Sequence, residues 1–299
     1  MAAMIIREIH RVPDGVRDVR LSVYARSAFA ALASRKGTVK AIKRGELLVN
    51  GCPGKTGDWV EAGQLLELLD LQERVPRTFY LPMDVVYEDD DLAVVNKPPG
   101  VEVSGNKFKT VENALSHNLV KSSAPDALPW PRPVHRLDYS TSGLLLIAKT
   151  ARAQVYLGRQ FERRDVKKLY CAVVTGRPEP EGKIETPIAG LPAISRFKTV
   201  RTVRSLRSDE LSLMELSPLT GRTHQLRIHM ASLGHPIAGD QKYGPEGAVL
   251  RGKGLFLAAV QLRFFHPASE EELRVQIELP HKFSSLLERE QRRWNKFHA

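Results

Sequence analysis

Asp138 lies in Val134-His135-Arg136-Leu137-Asp138-Tyr139-Ser140-Thr141-Ser142-Gly143, between a proline-rich stretch and an apolar run. A carboxylate beside a basic residue, on a loop anchored by a core strand, is placed for nucleophilic or general-base chemistry, because rigid elements hold loop groups in position. The plainer reading is a polar turn in which Asp138 caps a backbone amide, and on physics alone that reading comes first. A second group follows Thr220-Gly221: Arg222-Thr223-His224-Gln225-Leu226-Arg227-Ile228-His229-Met230. Thr223 is expected as the N-cap of a helix. Leu226 and Met230 then share an apolar face, and Arg227 can fork a carboxylate or reach a phosphate. The alternative for Arg227 is an exposed helix arginine. A third group, Lys167-Lys168-Leu169-Tyr170-Cys171-Ala172-Val173-Val174, reads as a strand. Alone, its Tyr170 would be a half-buried core tyrosine.

Other chemistries lack their residues. Gly176 to Lys183 spaces its glycines wrongly for a phosphate loop and has Ile184 where a Ser or Thr is needed. There is no Gly-x-Ser-x-Gly elbow and no Cys-x-x-Cys or His-Glu-x-x-His pair. His224 and His229 are five apart, so they fall on different faces of a helix. Two cysteines, Cys52 and Cys171, are too few for a disulfide framework. Asp138 and Asp240 could serve as the acid and base of a nucleoside glycosidase, but no motif supports that pairing.

These residues need elements to position them. At 299 residues, with 42% hydrophobic and 26% charged, the chain is globular in composition and long enough for about two domains. Its net charge of +11 points to a polyanionic partner. No apolar run reaches the roughly 18–20 residues of a membrane span. The start of the chain has no secretory pattern, so a cytoplasmic protein is expected. Residues 1–15 read as an extension. Residues 16–73 read as a small module, with helices over Ser22–Ala33 and Thr38–Lys43 and short strands at Leu47–Val49 and Leu65–Leu69. Residues 17–44 hold eight basic residues and one acid, Asp18. This is either a solvated face or a phosphate-contacting one that includes Arg35 and Lys40. Residues 74–84 read as a linker, 85–284 as a larger domain and 285–299 as a basic tail. The larger domain mixes strands and helices without strict alternation, which implies an α+β fold with a largely antiparallel sheet flanked by helices. Ser195–Ser208 carries Arg196, Lys198, Arg201, Arg204 and Arg207 and no acid. It reads as an edge facing a polyanion or as an edge strand blunted by charge.

Taken together, the Arg-Leu-Asp signature with Thr-Ser-Gly, the Lys-x-Tyr-x-Ala-x-Val strand and Thr-Gly-Arg-Thr-His-Gln-Leu-Arg-Ile-His closely resemble the pseudouridine synthases of the RluA type. Gly234-His235-Pro236-Ile237-x-Gly239-Asp240, Val94-Val95-Asn96-Lys97-Pro98 and Phe265-His266-Pro267 extend the likeness across Val85–Leu279. The N-terminal module resembles the S-four-like RNA-binding module through Ser34-Arg35, Ile42-x-x-Gly45 and Val49-Asn50-Gly51. It departs at Lys36-Gly37 and at Ala62-Gly63-Gln64, which lacks the family's Gly-Asp pair. The resemblance implies isomerisation of uridine to pseudouridine in RNA, with ribosomal RNA favoured over transfer RNA, no cofactor or metal, and a monomer. It implies that Asp138 is the catalytic aspartate, that Arg227 pairs with it and holds it ionised, and that Tyr170 stacks on the base and assists proton removal from C5. It further implies that Arg136 contacts RNA around a nucleotide extruded from its stack. His135, Arg222, Arg196, Lys198, Arg35 and Lys40 are expected to join Arg136 in binding RNA. A non-catalytic RNA-binding or ribosome-assembly factor that kept the fold is the alternative.

Overall fold

The structure is a computed structural model that describes residues 5–32, 34–43, 45–70, 78–244 and 253–298. The chain divides into two compact units, 1–76 and 77–299.

The smaller unit contains β1 (Ile5–Arg11), β2 (Val19–Arg20), α1 (Leu21–Ala28), α2 (Arg35–Lys43), β3 (Leu47–Val49), β4 (Cys52–Pro53), β5 (Trp59–Val60) and β6 (Leu65–Asp70). Its four-stranded sheet runs β1-β6-β3-β4, with β2 and β5 as a separate pair. Leu21, Ala25, Phe29, Ile42, Leu47 and Leu66 form its core. Gly45 ends α2 at φ +74, in the region that favours glycine. Residues 1–15, expected as an extension, instead supply β1, which pairs antiparallel with β6. Ile6 and Ile9 of β1 are exposed, so no apolar alternation marks it in the sequence. Arg35 and Lys40 are both exposed on α2.

The larger unit contains β7 (Asp84–Glu88), β8 (Leu92–Lys97), α3 (Val111–Asn118), β9 (Ala127–Pro133), β10 (Ser142–Thr150), α4 (Ala151–Arg163), β11 (Lys167–Thr175) and β12 (Glu181–Ile184). It continues with β13 (Ser195–Ser205), β14 (Asp209–Pro218), α5 (Gln225–Ser232), β15 (Leu257–Phe265), β16 (Glu272–Gln276) and α6 (His281–His298). The sheet runs β12-β13-β14-β11-β15-β10-β8-β7, with β16 on β15 and β9 on β10. Among the described strands of this sheet, only the β10–β15 pairing is parallel. This is the α+β class that the order of elements implies.

The centre of the sheet is covered on both faces. All nine residues of β10 are buried. Leu145 and Ile147 join one apolar cluster, and Leu144, Leu146 and Ala148 join another. A strand buried on both sides reads as a continuous apolar run, which is why β8 and β10 stand out in the sequence. Thr110 and Thr150 cap α3 and α4 by accepting from the amides of Asn113 and Ala153.

The unit's edges differ from expectation at both ends. Residues 74–77 of the expected linker lie outside the described residues. The rest of that stretch is tied to α3: the Phe79 amide donates to the Asn113 carbonyl, and Asn118 bonds the backbone of Leu81 and Met83. The expected tail at 285–299 is most of α6. Phe283, Leu286, Leu287 and Glu290 are its buried stripe, at the spacing of one helix face.

Candidate active site

Gly143 fixes how close the parallel strands come at the root of the site. A Cβ there would collide with the backbone of Ala259 on β15, so only glycine lets β10 and β15 meet at Ser142 and Gly143. The loop carrying Asp138 feeds directly into this junction. It closes through the Thr141 amide, which donates to the Asp138 carbonyl at 3.1 Å. The next carbonyl, of Tyr139, accepts from the Gly100 amide at 2.7 Å and from Lys97 Nζ at 3.4 Å. Lys97 is fully buried. Burial pushes its ammonium down to about 8, while the nearby Asp138 charge opposes the shift. The aspartate loop is thus fastened to the end of β8.

Asp138 opens into a cleft of about 130 Å³, several times the roughly 30 Å³ share of one water and the scale of one planar heterocycle. Arg136, Lys168, Arg222 and Arg227 line the same cleft, in which Asp138 is the one acid among the described lining residues. Tyr170 forms part of the wall, opposite a bulge in β15: Leu169 pairs with Gln261 and Tyr170 with Ala259, so Val260 is the extra residue. Burial, then the Asp138 charge, push the Tyr170 phenol up, so it stays protonated at neutral pH.

The second motif is held by a buried polar network. Gln225 accepts from Thr220 Oγ1 at 2.6 Å and donates to the Ile194 carbonyl and Ser195 Oγ at 2.9 Å. His229 bonds Ser195 Oγ and the Thr186 carbonyl. Thr223 is not the helix cap. His224 precedes α5 in the left-handed region at φ +57, without a side-chain cap bond. This turn brings His224 Nε2 to 3.9 Å from Asp138 Oδ1.

The structure differs from expectation most at Arg227. Its fork closes on Asp240, with Nε and Nη2 each 2.8 Å from a carboxylate oxygen, rather than on Asp138. Asp240 also accepts from the amides of Lys242 and Tyr243. Burial alone would raise the Asp240 carboxyl, but the arginine fork and the two amides outweigh it and hold the group below its ordinary value. Its side chain is 1% exposed, so Asp240 is filled by internal bonds and is not a second acid facing substrate. The Asp138–Asp240 glycosidase pair therefore has no geometric basis.

His135 was expected to touch RNA, but it faces inward. Its ring stacks on Phe161 at 4.7 Å, and Nε2 accepts from the Leu146 amide at 3.0 Å. The residue keeps a margin of surface, yet protein atoms crowd the ring. Desolvation and the neighbouring Lys168 cation push its pKa down to about 3. The unfolded chain therefore binds a proton between about pH 6.5 and 3 that the fold does not. This contribution is complete above 6.5 and shrinks as pH falls through that window. Urea unfolding should give a lower midpoint at pH 4.5 than at pH 7. His135→Gln should be less stable at pH 7 but flatter between the two pH values, and equal slopes in both proteins would refute the assignment.

Of the remaining expected residues, Arg136, Arg196 and Lys198 are exposed, and Arg222 is partly so, its Nε held by the Pro192 carbonyl. Exposed Arg196 and Lys198 alternate with buried Ser195 and Phe197. β12 covers the first four residues of β13, Arg196 and Lys198 among them; beyond Lys198 the strand pairs with β14 alone among the described strands. Lys97, His224 and Tyr243 are the site residues that motif reading left without a role, and Asp240 is one whose pairing with Arg227 it missed. Among the described residues, no three His, Cys, Asp or Glu side chains cluster as metal ligands, and no helix is long and apolar enough to cross a membrane.

Fold and site together describe an enzyme that works on one base of a polyanion. The family model for RNA pseudouridylate synthase matches residues 91–232. An uncharacterized RNA pseudouridine synthase of Aquifex aeolicus is 34% identical over 279 residues, covering 85% of this chain and 88% of its own length. The ribosomal large subunit pseudouridine synthase D of Xylella fastidiosa is 33% identical over 309 residues, covering 92% and 90%. In structure, human RNA pseudouridylate synthase domain containing 1 is similar with a TM-score of 0.55 and 29% identity, over 66% of this chain and 83% of that one. The chain belongs to the RNA pseudouridine synthase family, isomerases that convert uridine to pseudouridine in RNA.

Proposed function

We propose that the protein isomerises uridines in structured ribosomal RNA, with Asp138 as the catalytic carboxylate. The observation that carries this reading is the base-sized cleft in which Asp138 is the one acid among Arg136, Lys168, Arg222 and Arg227. Such a cleft suits a flipped nucleotide: the cations attract the phosphates, which offsets part of the few kcal/mol that extrusion costs. Tyr170 supplies the wall on which the base stacks. Arg227, locked to Asp240, presents its remaining guanidinium edge and charge to the cleft and to Asp138. Arg196 and Lys198 extend the basic surface from Ser195, which the Gln225 network ties to the site.

The ribosomal assignment is supported by the name of the Xylella fastidiosa relative and by exposed Arg35 and Lys40 on α2 of the small unit. We assign that unit an S-four-like RNA-binding role. We assign the protein to the cytoplasm, where such RNA is made, and expect it to act as a monomer.

The test is nucleotide-resolution pseudouridine mapping of total RNA from cells lacking the gene, complemented with wild type or with Asp138→Asn. Wild type should restore the missing ribosomal sites and Asp138→Asn should not. Loss confined to transfer RNA would overturn the substrate assignment. No loss at all would favour a non-catalytic binder.

A further inference from the structure

Converting uridine to pseudouridine breaks the N1–C1′ bond and forms a C5–C1′ bond. A proton leaves C5 and a proton arrives at N1, with no net change in atoms or electrons. Whether Asp138 attacks C1′ or removes the 2′ proton, the C5 proton still has to leave. We infer that His224 carries this proton: Nε2 accepts it from C5 as the C–H electron pair returns to the ring, and the imidazolium then delivers a proton to N1. This rests on the assignment of Asp138 as the catalytic carboxylate.

Three observations place His224 for the task. It lines the cleft, with Nε2 facing Asp138 at 3.9 Å. Its Nδ1 lies 2.9 Å from the Tyr243 hydroxyl; the proposed step uses the tautomer whose Nδ1–H donates to that oxygen, which leaves the Nε2 lone pair directed at the cleft. The orientation is fixed from both sides. The backbone at φ +57 leads into α5, where the Ile228 amide donates to the His224 carbonyl at 3.0 Å. Tyr243 is held by its own amide on Asp240, and the Arg227 guanidinium lies over its ring at 5.1 Å.

The other groups lining the cleft serve less well. Arg136, Arg222 and Arg227 keep their protons. Tyr170 is a phenol held in its protonated form. Lys168 also lines the cleft, and burial lowers its pKa, so it is the competing base. The groups facing His224 are Asp138, Arg227, Lys242, Asp240 and Tyr243. Desolvation lowers the His224 pKa first of all; Asp138 and Asp240 oppose this, and Arg227 and Lys242 add to it. The net direction is down, which keeps the ring neutral and able to accept a proton at neutral pH. In acid the imidazolium pairs with Asp138 and the base is lost.

Two readouts on one RNA separate this step. Tritium release from 5-tritiated uridine requires the C5 proton to leave. Consumption of 5-fluorouridine in the same RNA, followed by chromatography of nuclease digests, requires only that the C5–C1′ bond form. His224→Gln should slow tritium release by about 10²–10⁴-fold, the range of general acid–base catalysis, and leave 5-fluorouridine consumption within about threefold. The acid limb of wild-type tritium release should shift or vanish in this variant. Tyr243→Phe removes only the orienting hydroxyl and should slow tritium release by about tenfold with fluorouridine consumption unchanged. It decides the matter if His224→Gln fails to fold. The inference is overturned if His224→Gln slows both readouts equally, if it changes neither, or if Lys168→Met alone separates them. Asp138→Asn should fail in both. If it does not, the site assignment itself is wrong. If it does while both His224 readouts stay normal, only the proton role of His224 is wrong.

Discussion

Asp138→Asn should lower turnover by at least ~10⁴-fold while melting within about 1–2 °C of wild type. The first half follows from chemistry. An amide of nearly the same volume can neither attack an anomeric carbon nor take a sugar proton, and the cleft holds no other acid to replace it. The second half follows from how little of the fold leans on the carboxylate. Its side chain is 20% exposed, and His224 at 3.9 Å pairs with it only when the ring is protonated. The loop is held by backbone bonds to Thr141 and Gly100 and by Lys97, none of which uses the Asp138 side chain. RNA affinity should be unchanged or slightly higher, because one negative charge is removed from among four cations. Single-turnover kinetics, a filter-binding titration and a thermal melt on one preparation check all three parts. Activity within tenfold of wild type would remove Asp138 from the mechanism. Release of free uracil would revive glycoside hydrolysis, though not with Asp240 as the partner acid.

The three motifs were legible in the sequence because their residues are constrained in type. The structure brings Asp138, Tyr170 and Arg227 to one cleft although they span ninety positions. Pairing within the site was less legible. Arg227 has two carboxylates within reach of its charge, and motif order does not say which one it forks; the turn through Gly239 decides it. Gly239 sits at φ +78, where a Cβ would strike the Gly254 carbonyl, and this close turn swings Asp240 under α5. His135 was misread because it lies in a bend just after β9, where no periodicity in the sequence tells which side chains turn inward. Arg136 faces out there, while His135 faces in, against Phe161. The α6 helix was legible after all: 283, 286, 287 and 290 form a helical stripe, masked by the basic residues around it. Strand β1 carried no such signal, since its pairing with β6 is made by backbone bonds.

Breaking the Arg227–Asp240 pair should produce the largest stability change at the site. Asp240→Ala leaves a guanidinium buried with its fork open, a situation that costs about 3–5 kcal/mol, a large share of the 5–15 kcal/mol typical of a whole domain. Asp240→Asn should cost less, since an amide oxygen still accepts one arginine N–H and the Lys242 and Tyr243 amides. The pH dependence has a definite sign. The folded carboxyl titrates below its unfolded value, so this stabilisation is complete above about pH 4 and lost as pH falls further. Asp240→Asn should lack that part of the acid limb. The informative variant is the double replacement Arg227→Met with Asp240→Leu. Exchanging a buried ion pair for apolar side chains of similar volume is often neutral or stabilising, so the double variant should recover much of the stability lost by Asp240→Ala. Activity should not return with it. Arg227 lines the cleft and feels the Asp138 charge, and Tyr243, which aims His224, is seated on the Asp240 carboxylate through its amide. Urea unfolding beside single-turnover rates separates the two contributions. A double variant that regains both folding and turnover would show that the pair only holds the fold. Regained folding without turnover would show that a buried ion pair is kept here because its cation faces the substrate and its anion sets the proton carrier.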